Sequence, residues 1–144
     1  MTDPPLAYLL LRASRWFDRQ LLDRLEAEGW PRLSSAQSLV FPHLVREGIS
    51  AAALARALGV SRQSAHELAG GLVRLDLVRS VADPASRRQR RLVLTSRGNA
   101  LAADARRILA DLEEELTSTG DDRVDTAALR RLLDIEVFTF DHRA

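Results

Sequence analysis

Cysteine and lysine are both missing from this 144-residue chain, and each absence narrows what the protein can do. Without cysteine there is no disulfide, no thiol redox sensor and no cysteine-ligated zinc or iron–sulfur site. The histidines, His43, His66 and His142, are scattered, so we expect neither a metal site nor a cofactor. All 21 basic residues are arginine, which we attribute to GC-rich coding bias rather than to function, although arginine offers the planar fork that suits phosphates and base edges.

Long apolar runs and catalytic motifs are lacking as well. No stretch approaches the roughly 20 apolar residues of a membrane span, and the N-terminal sequence MTDPPLAYLLLR lacks the basic start of a signal peptide. There is no Gly-rich phosphate loop, GxSxG or HExxH, and the carboxylate run at 113–115 is typical of a solvated helix face. We therefore expect a cytoplasmic protein that is not an enzyme and does not contact membranes.

The net charge of +1 conceals a strongly uneven distribution along the chain. Residues 1–55 contain six arginines and six acidic residues, and residues 98–144 contain six arginines and eleven acidic residues. Residues 56–97 contain nine arginines and three acidic residues, a net charge of +6. A basic middle of this kind favours one surface that meets a polyanion.

Apolar residues at spacings of three and four predict long helices at both ends of the chain. The first helix ends near Gly29, and a fifth, capped by Thr95 or Ser96, is separated from the last by a polar break at 118–125. The stripes consist of Leu6, Leu10, Ala13, Phe17, Leu21 and Leu25, then Leu101, Ala105, Ile108, Leu112 and Leu116, and finally Leu129, Leu132, Leu133, Val137 and Phe138.

Three shorter helices are predicted between these ends. Ser34 or Ser35 begins one that runs to about residue 47, although Pro42 should kink or interrupt it because proline removes a backbone donor. The other two cover residues 50–58 and 62–75. The sharp turn between them contains Gly59, which tolerates a left-handed backbone, and Ser61, which caps the second helix.

A change to alternating periodicity predicts a hairpin directly after these helices. Residues 77–81 and 90–95 alternate as strands, and the segment 83–86 has the composition of a turn. A short helix, a tight turn, a second helix and a hairpin describe a winged helix-turn-helix. The predicted fold class is therefore mainly α with a small β-hairpin wing.

The second helix of this motif carries polar residues at its outward end. Arginine can fork onto guanine, glutamine onto adenine, and serine or backbone amides can hold phosphate. The candidate recognition residues are Ser61, Arg62, Gln63, Ser64 and His66, and the alternative is an ordinary solvated helix face. Glu67 faces a polyanion badly unless it pairs with arginine or reads a cytosine.

The hairpin tip carries Arg87, Arg88, Arg90 and Arg91 within five residues. Arginines on a projecting hairpin suit a narrow minor groove or its flanking phosphates, and the alternative is a solvated charge cluster. Strand alternation sends Arg90 and Arg91 to opposite faces, so at most one of them follows the direction of the tip. The candidate wing residues are Arg87, Arg88 and Arg90.

These residues resemble the MarR (multiple antibiotic resistance regulator) family of transcriptional regulators. The segment LARALGVSRQS at 54–64 is similar to the family's helix-turn-helix, and DPASRR at 83–88 with RLVLT at 91–95 is similar to its wing. TSRG at 95–98 resembles the start of the long helix that follows the wing.

The resemblance implies a homodimer with a DNA-binding lobe at 34–96 and dimerisation helices at 5–30 and 97–142. It implies recognition helices in successive major grooves of a pseudo-palindromic operator, with Arg88 or Arg87 in the flanking minor groove. The function implied is that of a sequence-specific regulator of transcription, a repressor relieved by a small-molecule effector.

Family members often bind small aromatic molecules, and the candidate pocket residues here are Trp16, Phe41 and His43, with Trp30 a weaker candidate. Ordinary core packing is the alternative for the aromatic residues. A winged-helix module that binds protein without DNA is the alternative function. Salt-dependent binding to duplex DNA distinguishes the two functions, because phosphate contacts release counterions.

Overall fold

The computed structural model describes residues 3–118 and 125–134. Its elements are α1 (Leu6–Ala27), α2 (Ser35–Ser38), a 3₁₀ turn (Phe41–His43), α3 (Ala51–Leu58), α4 (Arg62–Arg74), β1 (Val78–Asp83), β2 (Ser86–Leu94), α5 (Ser96–Ser118) and α6 (Thr126–Leu133). The order agrees with a winged helix-turn-helix between long terminal helices. Val137 and Phe138, predicted for the last helix, lie outside the described residues. Within the described ranges, no helix is long and apolar enough to cross a membrane.

The two long helices, α1 and α5, pack against each other and carry the predicted stripes. Their contact buries Leu22 and Leu25 of α1 with Ile108 and Leu112 of α5. Arg24 donates two hydrogen bonds of 2.9 and 2.8 Å to the Glu115 carboxylate, and this pairing lowers the pKa of Glu115. The N-terminal half of the α1 stripe differs, because Leu6 is 65% exposed in the single chain.

The prediction of one helix over residues 34–47 is wrong in its extent. The chain forms the single turn α2 and then the 3₁₀ turn at Phe41–His43, with Pro42 inside the latter. The physical reason is the missing amide hydrogen of proline, which cannot continue an α-helical ladder. Phe41 and Val40 nevertheless reach the core, where they are 7% and 0% exposed.

The helix-turn-helix forms at the predicted positions. Ser50 caps α3 by accepting a hydrogen bond from the Ala53 amide, and Ser61 caps α4 by accepting one from the Ser64 amide. Gly59 adopts φ +67° and ψ +33° between the two helices, a left-handed backbone that glycine adopts without steric cost. Ala65, Ala69 and Leu72 form the buried face of α4.

The hairpin is longer than predicted and its register is interrupted near the tip. The pairs run from Val78 opposite Leu94 to Ala82 opposite Arg90, and the next pair is Asp83 opposite Ser86. Residues 87–89 of β2 therefore have no partner in β1 and form a bulge. On its other edge β2 pairs with Ile49 through Leu92, which joins the wing to the segment before α3.

A compact set of contacts joins the end of α4, both strands and the start of α5. The Leu77 carbonyl accepts a hydrogen bond from the Thr95 amide, and the Thr95 hydroxyl donates to the Asp76 carbonyl at 2.7 Å. The same hydroxyl accepts from the Gly98 amide at 2.9 Å and so caps α5. Asp76 has φ +58°, the one non-glycine positive value among the described residues, and aspartate tolerates it better than most residues.

Gly98→Ala should lower the free energy of unfolding by about 3 kcal/mol, because a Cβ there would overlap the Leu77 carbonyl oxygen in a packed site. Gly70→Ala is the matched control, since its Cβ would meet only the end of the Arg74 side chain at 3.5 Å. It should raise stability by about 0.5–1 kcal/mol through helix propensity. Urea unfolding at one fixed protein concentration measures both variants, and a Gly98→Ala protein as stable as wild type would contradict the close contact.

Candidate nucleic-acid interface

The first turn of α4 presents polar side chains to solvent. Arg62, Gln63 and His66 are exposed, whereas Ser64 is half-buried. Ser61 and Ser64 are engaged with each other, since the Ser61 hydroxyl accepts from the Ser64 amide and donates to the Ser64 hydroxyl at 2.9 Å. The structure therefore brings three predicted side chains together on the outer surface and assigns the two serines to capping.

The surface of α4 opposite its buried face extends beyond the first turn. Helical spacing places Gln63, Glu67, Gly70 and Arg74 in one stripe along this surface. Glu67 and Arg74 are exposed. Arg74 was not among the predicted site residues. The sequence could have indicated Arg74, because it lies eleven residues, about three helical turns, after Gln63.

The four arginines of the wing fall into two groups. The Arg90 guanidinium donates to the Ser80 hydroxyl and carbonyl at 2.9 and 2.8 Å, and Arg91 donates to the Gly48 carbonyl at 2.8 Å. Arg87 and Arg88 are exposed in the bulge and form no hydrogen bond or ion pair within the described part of the chain. The fold thus engages Arg90 and Arg91 in internal hydrogen bonds and leaves Arg87 and Arg88 available to a binding partner.

The turn that carries this bulge is held by its own sequence. Asp83 accepts a hydrogen bond from the Ala85 amide at 2.9 Å across Pro84, whose ring fixes one backbone angle. Together the hydrogen bond and the proline restrict the backbone conformations open to the turn. The adjoining bulge is therefore presented in a defined place.

The predicted effector residues lie in different environments. Trp16 is 38% exposed and lines a groove of about 570 Å³ with Phe17, whose ring packs edge-on at 5.1 Å. Phe41 is a core residue and His43 is half-buried in the 3₁₀ turn, and neither lines this groove. The structure does not place the three side chains in a common groove.

Trp30 has a structural role. Its indole N–H donates to Asp104 of α5 at 2.8 Å, and the Arg97 guanidinium lies 5.9 Å from its ring centre. Arg97 also donates to the Leu75 carbonyl at the end of α4. These contacts tie the loop after α1 to the recognition helix.

Comparison with known proteins decides the family. A sequence model of the MarR family matches residues 33–89. The crystal structure of the transcriptional regulator PA3341 is 32% identical and has a TM-score of 0.69, with 90% of this chain and 93% of that chain covered. This chain belongs to the MarR family. Its members are winged-helix transcription regulators that bind DNA, and no curated protein sequence matches the chain significantly.

Two further MarR-family structures show how far the similarity extends. MarR of E. coli, in its apo form, is 25% identical with a TM-score of 0.69, over 92% of this chain and 96% of that chain. The S. aureus MepR–DNA complex shares the fold at 20% identity with a TM-score of 0.66, over 91% of this chain and 98% of that chain. The matched segment 33–89 includes the exposed turn of α4 and the wing bulge, so both candidate DNA-contacting elements lie in the region typical of the family.

Arg91→Ala should destabilise the protein by about 1 kcal/mol, because it removes the hydrogen bond that joins the wing to the Gly48 carbonyl. Arg88→Ala removes the same charge from the same strand and should stay within about 0.5 kcal/mol of wild type, since it breaks no contact in the fold. The urea midpoint of each variant measures the difference. Equal losses in the two variants would show that Arg88 also supports the wing.

Proposed function

We propose that this protein is a homodimeric transcriptional repressor that binds a pseudo-palindromic duplex operator and has no catalytic role. The observation that carries the proposal is the pair of exposed elements on one basic lobe, the first turn of α4 and the arginine bulge of the wing. Among the described residues, the side chains of Arg62, His66, Arg87 and Arg88 form no hydrogen bond or ion pair. MepR of S. aureus, which shares the fold, has been solved bound to DNA.

The two elements suit different parts of the duplex. Arg62, Gln63 and His66 can reach base edges in a major groove, which is wide enough to admit an α-helix. Arg87 and Arg88 suit the narrower minor groove beside it, where negative potential attracts arginine. The net charge of +6 over residues 56–97 adds attraction to phosphates that does not depend on sequence.

The homodimer is supported by apolar surface that one chain leaves uncovered. A groove of about 620 Å³ is lined by Phe17, Leu116, Leu129 and Leu133 together with polar residues of α5 and α6. The groove at Trp16 lies beside it and shares Phe17 and Leu116. Exposed apolar patches of this kind mark interaction surfaces, and we assign them to a second copy through helices at 5–30 and 97–142.

A two-fold dimer explains both specificity and repression. It would place two copies of α4 about 34–36 Å apart, the distance between successive major grooves on one side of the duplex. A dimer that covers this length blocks RNA polymerase from any promoter that it overlaps. A small aromatic effector is a further part of the proposal. Of the predicted residues Trp16, Phe41 and His43, Trp16 lines the groove that supports it.

The test is an anisotropy titration with duplex from upstream of the protein's own coding sequence, against random duplex at two salt concentrations. The proposal expects tighter binding to the upstream duplex and a steep loss of affinity with salt. Duplex binding that salt does not weaken would favour the protein-binding module instead. So would a protein that binds no duplex but does bind a protein partner.

Arg88→Ala should weaken binding to every duplex, because a phosphate or minor-groove contact carries little base information. It should also reduce the slope of log affinity against log salt concentration by about one, since one fewer counterion is released on binding. Gln63→Ala and Arg62→Ala should instead relax preference at particular base pairs by about 1–3 kcal/mol. Arg106→Ala, on the exposed surface of α5, is the charge-matched control and should change neither quantity. The same effect of all four variants on specific and random duplex would contradict these assignments.

Leu116→Arg should convert the dimer to a monomer, since Leu116 lines both grooves and would place a charge in the interface. The side chain is 44% exposed in one chain, so the monomer should still fold. Leu39→Arg, at a site 59% exposed on the DNA-binding lobe, is the matched control and should remain dimeric. Light scattering coupled to gel filtration measures the mass, and a Leu116→Arg protein that elutes as a dimer would move the interface elsewhere.

A further inference from the structure

An acidic residue occupies the middle of the surface that would face DNA. Glu67 lies one turn after Gln63 on the outer stripe of α4, opposite the buried face of the helix. Around it, residues 56–97 contain nine arginines. A carboxylate in this place repels phosphates unless a partner offsets its charge.

The first way to offset that charge, pairing with an arginine, is not used. None of the ion pairs formed within residues 3–118 and 125–134 includes Glu67. Its carboxylate makes one hydrogen bond, in which Gln63 Nε2 donates to Glu67 Oε1 at 3.3 Å. The second carboxylate oxygen remains available to a partner.

The hydrogen bond to Glu67 also orients the Gln63 amide. One of the two N–H bonds of this amide donates to the carboxylate, so its carbonyl oxygen and its second N–H remain for a partner. Gln63 and Glu67 together therefore offer two acceptor oxygens, the Gln63 carbonyl and the second Glu67 oxygen, beside one remaining N–H donor. Glutamine alone would offer the donor and acceptor pair that matches adenine.

Gly70 occupies the next position on the stripe. A Cβ at Gly70 would meet only Arg74 at 3.5 Å, an ordinary contact, so the fold itself does not require glycine there. Glycine costs helix stability relative to alanine. Packing within the protein thus gives no reason for glycine here, and the end of the Arg74 side chain lies over this position.

We propose that Gln63 and Glu67 act as one hydrogen-bonded acceptor unit that reads the N4 amino group of a cytosine in each half-site of the operator. This inference rests on the proposed function. Cytosine fits better than adenine because adenine presents the N7 acceptor beside its N6 amino group, and N7 would face the lone pairs of the carboxylate. Gln63 is the positioning residue for Glu67, in addition to any contact of its own.

The experiment begins with selection of duplexes from a random pool by the wild-type protein. The enriched sequence is then compared with duplexes in which each C·G pair is replaced in turn, using wild type, Glu67→Gln, Glu67→Ala and Gln63→Ala. We expect both Glu67 variants to lose about 5- to 100-fold of discrimination at one C·G pair per half-site and to keep their other preferences. Glu47→Gln, at an exposed carboxylate outside both α4 and the wing, is the charge-matched control and should keep all preferences.

A double-mutant cycle tests the unit itself. If Gln63 and Glu67 act together, Gln63→Ala should lose discrimination at the same base pair as the Glu67 variants. The double variant should then lose no more discrimination than the single variant with the larger loss. Independent, additive losses at two different base pairs would overturn the unit. A thermal melt of each variant checks that the fold is intact. We expect an unchanged melting temperature, because both side chains are exposed.

Two results separate the failure of this inference from the failure of the proposed function. If Glu67→Ala binds all duplexes more tightly by one common factor and keeps every preference, Glu67 acts only by repulsion and the readout is overturned while DNA binding stands. If the wild-type protein enriches no sequence at all, the proposed function fails and the inference fails with it.

Discussion

The structure depends on the contacts that close the base of the wing, where Leu77, Thr95 and Gly98 meet. Leu77 is fully buried, its amide bonds to the Leu72 carbonyl of α4, and its own carbonyl accepts from the Thr95 amide. Gly98 approaches that carbonyl so closely that no side chain fits between them. Because four elements end or begin here, the recognition helix, both strands and α5 are held in one relative arrangement.

That arrangement matters because the two candidate DNA-contacting elements are useful only in a fixed relation to each other. A major groove and the adjacent minor groove are separated by a set distance along the duplex, and a wing that moved freely would lose affinity to conformational entropy. Arg91 and Ile49 support the wing on its outer edge, and Arg97 joins the end of α4 to α5 and Trp30. The end of α4 is therefore joined directly to the start of α5 and to the loop after α1.

The contrast among the wing arginines shows how a fold divides one residue type between two tasks. Arg90 and Arg91 bind backbone carbonyls of the same protein, and their charges are partly satisfied there. Arg87 and Arg88 stand in a bulge where the strand pairing is interrupted. A bulge frees side chains without loosening the strand on either side, because pairing resumes at Arg90.

The sequence by itself determined the features that depend on neighbouring residues. Serine caps at Ser50 and Ser61, the left-handed turn at Gly59 and the apolar stripes of α1 and α5 appear where the pattern places them. These features follow from backbone stereochemistry and hydrogen bonds across three or four residues, so a local pattern is sufficient to predict them. The family resemblance rests on the same local patterns.

The tertiary structure alone decided which side chains remain available for a partner. The partner of Arg91 is 43 residues away in the sequence, and the register shift that creates the wing bulge depends on how two strands meet. Phe41 became a core residue rather than part of an open pocket, and within the described part of the chain Glu67 forms no ion pair with an arginine. Such outcomes depend on contacts between distant parts of the chain, and no local spacing encodes them.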